Sequence, residues 1–198
     1  LLSFVEDPFT KTAWFDFEKM AQVVQNAQRL MDDMVDLEIE QVDKILQKIE
    51  NDPEPPEVKS IEENMWLKVR EQASSGRRTG LGVTAVGDAL AALNIGYGSN
   101  KSISTVEKFY RTLAVNAYRS SCQLAKERGA FPIHNHDKEQ GHEFLSRIWD
   151  AAPDVREMSQ KYGRRNISIL TNAPTGSVSI LSQTSSGLEP VFRNFYIR

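Results

Sequence analysis

Apolar residues recur every three or four positions from Asp16 onward, at Met20, Val23, Val24, Ala27, Leu30, Met31, Met34 and Val35. At 3.6 residues per turn this spacing gives a helix with a broad apolar stripe, and Asp16 is placed to cap it. A second helical pattern continues through Ile39, Val42, Ile45, Leu46 and Ile49. It stops at Asn51-Asp52-Pro53-Glu54-Pro55-Pro56, where prolines remove backbone donors and fix φ. Residues 51–56 therefore read as a linker between helices. A third helix is predicted through Val58, Ile61, Met65, Trp66 and Val69, ending near Ser74-Ser75-Gly76.

Beyond that point the elements shorten. Gly80-Leu81-Gly82-Val83-Thr84 has the look of a buried strand running into a helix of small residues, Ala85 to Leu93. Tyr97 to Asn100 is a loop. Ser104 with Glu107 forms a capping box for a long helix to Arg128, and Gly129 is its stop. Helical turns follow around Glu143–Trp149 and Pro153–Tyr162. Asn166 to Thr171 is apolar and β-branched, as a strand would be, and Leu1 to Val5 reads like the middle of another. Val178 to Ser182 fits a strand or a short helix equally well. Few strands separated by long helices point to a helix-rich α/β fold with crossover connections, not an antiparallel sheet.

Composition narrows the function classes. With 198 residues, 40% apolar and 26% charged, the chain is an ordinary globular protein. Its formal net charge of -3 gives no global field for nucleic acid or for an anionic membrane, so neither is expected as a partner. A single cysteine, Cys122, excludes an internal disulfide and a thiolate metal cluster, and suits a reducing, cytoplasmic setting. The N-terminus has no basic segment and no apolar run of signal-peptide or membrane-spanning length. It also lacks an initiator Met, so the chain is expected to derive from a longer protein.

Five places could carry chemistry. In Thr171-Asn172-Ala173-Pro174-Thr175-Gly176-Ser177-Val178-Ser179 a strand ends, Pro174 fixes a turn, Gly176 lets backbone approach a ligand, and Thr175, Ser177 and Ser179 offer hydroxyls. A helix starting at Gly176 would aim free N–H groups at an oxyanion. A Ser/Thr-capped turn is the plainer reading of this stretch alone. The next polar loop, Gln183 to Pro190, would share the same rim, with Ser186 and Glu189 as candidate wall residues; alternatively, Gly187 simply ends a helix. Adjacent Arg77 and Arg78 beside glycines suit a phosphate nest or, more commonly, a solvated helix exit. His134, His136 and His142 lie in a polar stretch with no cysteine and no i, i+4 pair, which reads as a surface loop and not a metal site. Cys122 falls inside the long helix with nothing adjacent to lower its pKa, as a small core residue would.

Taken in order, Arg77–Val83, Gly87–Leu93, Ala117–Ser121 with Glu127–Pro132, Asn172–Ser179 and Ser185–Phe192 resemble blocks of ribonucleotide reductase large chains, most closely the adenosylcobalamin-dependent class. The resemblance covers nearly the whole chain. It implies that residues 1–198 form a single partial domain of the ten-stranded α/β barrel, and that Val178–Ser182 is helical. Ala173, Pro174, Thr175, Gly176 and Ser177 are then the substrate phosphate-binding loop.

In that family a cysteine thiyl radical abstracts the ribose 3' hydrogen, the 2' hydroxyl leaves as water, and two cysteines supply the electrons. None of these cysteines matches a position here, because Cys122 falls in another block. No catalytic residue and no metal ligand is therefore assigned to the chain. The resemblance further implies a ribonucleoside di- or triphosphate substrate, an N-terminal cysteine-bearing part as partner, a thioredoxin-type reductant, adenosylcobalamin bound by the complete enzyme, and homodimerisation. Two alternatives stand beside it: a non-catalytic assembly module built on the reductase fold, and a chain of the oxygen-requiring class served by a small radical subunit.

Overall fold

The computed structural model of the protein describes residues 1–193 and residue 195. They fall into two compact units. The first comprises Leu1–Val24, Leu81–Asn116 and the described residues from Leu170 onward; the second comprises Gln25–Gly80 and Ala117–Ile169.

The helical periodicity from Asp16 to Asn51 forms one helix, α1 (Phe17–Asn51), and not two. No glycine or proline interrupts those residues, so nothing breaks the backbone ladder. Asp16 caps it, its carboxylate accepting from the Lys19 N–H at 2.8 Å. After the prolines, α2 (Pro56–Gly76) opens with proline in its first turn, where the missing donor costs nothing.

In the first unit, Leu2–Phe4 is a 3-10 turn where a strand was expected. The strands β1 (Val5–Glu6) and β2 (Trp14–Phe15) pair antiparallel with Val5 opposite Phe15. Residues 80–84 and 166–171 form no named strand; among the described residues Leu81 and Leu170, both of the first unit, make a single parallel bridge. Two short helices belong to this unit, α3 (Val86–Ala92) and the C-terminal Gly176–Ser182, and the helix that resemblance implied after Ser177 is present. The core is aromatic and aliphatic. The Phe15 ring lies 4.4 Å from that of Phe109 and 4.7 Å from that of Phe17, and Val86, Ala89, Leu90 and Leu113 are buried.

The long helix α4 (Asn100–Arg128) starts one turn before the predicted capping box. Ser99 is the working cap, its hydroxyl accepting from Ser102 N–H at 3.1 Å, whereas the Ser104 hydroxyl bonds back to Lys101 O. Gly129, at φ +86°, ends the helix as expected.

The second unit adds α5 (His136–Glu139), α6 (Glu143–Ala151) and α7 (Pro153–Tyr162); the first unit's C-terminal helix is thus α8. Leu124, Leu145, Ile148, Trp149, Val155 and Ile169 supply its apolar core. Its centre is polar. Fully buried Asp32 accepts from the Arg77 guanidinium at 2.8 Å, from Asn166 Nδ2 at 2.9 Å, and from Arg128 and Arg165 at 3.2 and 3.3 Å. Arg77 itself is buried, with a second bond to Asp36 at 2.7 Å. This corrects the reading of Arg77 as a solvated helix-exit residue: it holds a left-handed backbone, φ +46°, in order to reach two carboxylates. Arg78 is exposed. Among the described residues no helix is long and apolar enough to cross a membrane.

Candidate functional site

The site is built from three stretches of the first unit. Residues 171–175 lead into α8 through Thr175, whose backbone is left-handed at φ +54°. The first helical bond runs from Ser179 N–H to Thr175 O at 2.8 Å, so the N–H groups of Gly176, Ser177 and Val178 have no acceptor within the helix. Gly176 and Ser177 are exposed, and a Cβ on Gly176 would meet nothing within 4 Å. Ala173 and Pro174 are exposed as well, while Thr175 is half-buried.

The second stretch is the turn from Ser185 to Glu189. Gly187 sits at φ +52°, and a Cβ there would come within 3.3 Å of Ala173 O, which explains why the two loops can approach so closely. Asn172–Pro174 on one side and Ser186–Glu189 on the other wall a shallow cavity of about 210 Å³. The structure thus brings Ala173 and Pro174 together with Ser186 and Glu189. The Ser186 hydroxyl lies 3.1 Å from that of Ser179, and Glu189 is exposed at the rim.

The third stretch is Thr84–Asp88, whose last two residues open the Gly87–Leu93 block of the family resemblance. The Thr84 hydroxyl lies 2.8 Å from that of Thr175, and the Asp88 carboxylate accepts from Ser185 N–H at 2.7 Å. Helix α3 has no side-chain cap; instead the N–H of its N-cap residue Ala85 donates to Ser185 O and that of Val86 to Gly187 O, at 3.2 Å each. The 185–187 turn therefore serves as a helix cap and a cavity wall at once. Tyr97 and Tyr110 brace the walls from α4 and the loop before it, donating to Leu188 O at 3.0 Å and to Asn172 Oδ1 at 3.2 Å. Burial pushes the Tyr110 phenol up, aided by nearby Tyr97, so it stays a neutral donor.

The remaining candidates lie in the second unit. His136 bonds to Gln140 at 2.8 Å and His134 faces Glu139 at 3.5 Å, so the histidines are spread over separate side-chain contacts. The one clustered set of ligand-type atoms among the described residues is Asp32, Asp33 and Asp36, and guanidinium groups of Arg77 and Arg128 already face them.

Cys122 is fully buried, and desolvation pushes its thiol up to about 12. At neutral pH it is neither thiolate nor accessible. Iodoacetamide should leave it unlabelled in the folded chain and alkylate it promptly in denaturant; rapid labelling of the native chain, followed by mass spectrometry, would contradict this.

The model of the family described as the ribonucleotide reductase barrel domain matches residues 1–198. The chain belongs to that family. Its barrel-domain relatives include the vitamin B12-dependent ribonucleoside-diphosphate reductase of Mycobacterium tuberculosis strain CDC 1551 / Oshkosh, 28% identical over 92% of this chain and 20% of that protein. The protein of the same name from Thermoplasma acidophilum is 27% identical over 92% of the chain and 18% of its own length. The ribonucleoside-diphosphate reductase subunit alpha of Chlamydia pneumoniae is 27% identical over 92% and 17%. The chain thus spans about a fifth of the length of these reductases. As part of a reductase barrel domain it is helix-rich, with α1, α2 and α4 its longest elements.

Proposed function

We propose that this chain holds the phosphates of a ribonucleoside diphosphate within a ribonucleotide reductase, and that reduction itself is carried out by residues outside it. The observation that supports this is the exposed start of α8, where the N–H groups of Gly176, Ser177 and Val178 are free of helical acceptors beside a walled cavity. Backbone N–H groups gathered at one point, with the positive end of the peptide dipoles, favour an oxyanion. Ser177 adds an exposed hydroxyl. Ala173 and Pro174 shape the approach, and Ser186 stiffens the opposite wall. Glu189, a carboxylate, repels phosphate and is suited to accept from a sugar hydroxyl.

Cys122 is buried with its thiol pushed up, and its block does not match the family's redox cysteines. The radical and reducing cysteines and the thioredoxin-type reductant are contributions from elsewhere in this reading, and a second copy of the enzyme is a further proposed partner. Adenosylcobalamin is the proposed radical source, by the names of two relatives. The first unit contains no histidine, and no residue of this chain is assigned to a corrin. No step on this chain runs through that cofactor.

A test is Gly176→Val, which blocks backbone approach at a position where the fold has room. Calorimetric titration with a ribonucleoside diphosphate should show affinity reduced by about 1–3 kcal/mol, the cost of lost or unpaired hydrogen bonds, with the melting temperature nearly unchanged. Unaltered affinity would reject the phosphate role. If the chain is an assembly module only, or serves a class with a separate radical subunit, mixing it with a cysteine-bearing reductase part distinguishes them: the first gives a complex without activity, the second needs the radical subunit as well.

A further inference from the structure

We propose that Thr84 is a positioning residue for the nucleotide cavity, its hydroxyl holding the Ala173–Ser177 loop and the Ser185–Glu189 turn at a fixed spacing. This rests on the reading of that cavity as the phosphate site.

The argument follows from counting protons. The Thr175 hydroxyl lies 2.8 Å from Gly187 N and 2.8 Å from the Thr84 hydroxyl, and the Thr84 hydroxyl lies 3.1 Å from Ser185 O. Each hydroxyl owns one proton and can accept others. One assignment satisfies these contacts: Gly187 N–H donates to Thr175 and, at 3.3 Å, to Thr84 as well, Thr175 donates to Thr84, and Thr84 donates to the Ser185 carbonyl. Under this assignment neither threonine has a proton left for a ligand. Thr175 therefore serves the site through its backbone, and its side chain is structural. The Gly187–Thr175 bond joins the two walls directly, and the Thr84 oxygen adds a second tie by linking Thr175 to the Ser185 carbonyl.

Backbone strain shows that something must hold this arrangement. Thr175 and its counterpart Ala85, next to Thr84, sit at φ +54° and +63°, a region that a β-branched residue in particular avoids. Such conformations persist only where surrounding bonds fix them, and the Thr84 hydroxyl is bonded to one and adjacent in sequence to the other. Without it the loop can relax toward ordinary φ, and the walls lose their spacing.

The test uses Thr84→Val, which keeps the branched shape and removes the hydroxyl, with Thr84→Ala as a second removal and Thr84→Ser as the variant that restores the bond. Inorganic pyrophosphate is titrated into the 198-residue chain while the amide signals of Gly176 and Ser177 are followed by NMR; exchange of the Gly187 N–H is measured without ligand. Loss of one hydrogen bond should speed Gly187 exchange and weaken pyrophosphate binding, each about tenfold, in Thr84→Val and Thr84→Ala. Thr84→Ser should match the parent in both. Parent-like binding in the two hydroxyl-free variants overturns the proposal and leaves the phosphate reading intact. Should the parent's Gly176 and Ser177 signals ignore pyrophosphate, the phosphate reading fails and the positioning role fails with it, whatever Gly187 does.

Discussion

Replacing Asp32 with alanine is expected to destabilise the second unit by about 3–5 kcal/mol, because it leaves buried positive charge without its counterion. Asp32 is fully buried and Arg77 nearly so, while Arg128 and Arg165 approach the same carboxylate from other segments. Burial alone would push the Asp32 carboxyl up. Hydrogen bonding and charge from Arg77, with Asn166 and Arg165, more than offset this and hold it below the ordinary aspartate value. The sign of the pH dependence follows. A carboxylate whose pKa is lower folded than unfolded contributes stability that is complete above its unfolded value and is lost as pH falls through the folded one. Acid sensitivity attributable to Asp32 should therefore appear below about pH 4. Urea unfolding of Asp32→Ala and Asp33→Ala checks the assignment. Asp33 is partly exposed and bonds to Arg128, so its loss should fall within about 1 kcal/mol, as for surface pairs. Equal losses for the two would show that the buried hub does not carry the stability.

That hub also shows where the sequence is legible and where it is not. Apolar spacing located α1, as two consecutive patterns, and α2, because spacing over many turns is a local signal; α4 was read from its end signals. Cap positions were less secure: Ser104 with Glu107 matches the capping-box pattern, yet Ser99 follows Gly98 at φ +81°, where the chain changes direction, and so takes the first free N–H. Arg77 looked solvated because its partner, Asp32, lies 45 residues away in sequence. The residue types of Ala173–Ser177 allow an oxyanion turn but read more plainly as a Ser/Thr-capped turn, and it is the order of the family blocks that raises the loop to a candidate. Its supports could not be read from nearby sequence. Thr84 lies 91 residues from Thr175, and Asp88 lies 97 from Ser185, so nothing local ties either residue to that loop. The runs at 80–84 and 166–171 had strand composition, but a strand is defined by its ladder, and among the described residues Leu81 and Leu170 make a single bridge.

Gly87→Ala should damage the candidate site more than any change in the Ala173–Ser177 loop itself. A Cβ on Gly87 would lie 2.7 Å from Pro190 Cα and 2.9 Å from Glu189 O, both backbone atoms, so one of the two segments has to move. Helix α3 is the stiffer. Val86, Ala89 and Leu90 are buried, and the N–H groups of Ala85 and Val86 are tied to the Ser185 and Gly187 carbonyls. Glu189 and Pro190 are exposed and give way. The added methyl should cost about 1–3 kcal/mol through overpacking. It should also carry Glu189 and the Ser186–Leu188 wall outward, and a displacement near 1 Å at a positioning group costs on the order of a hundredfold in rate. Gly176→Val supplies the contrast: there a side chain enters open space, so binding falls while the fold and the far wall stay in place. In the assembled reductase, Gly87→Ala should therefore lower kcat with a modest drop in melting temperature, whereas Gly176→Val should raise KM. Wild-type kcat in Gly87→Ala would show that the Glu189 wall does not position the substrate.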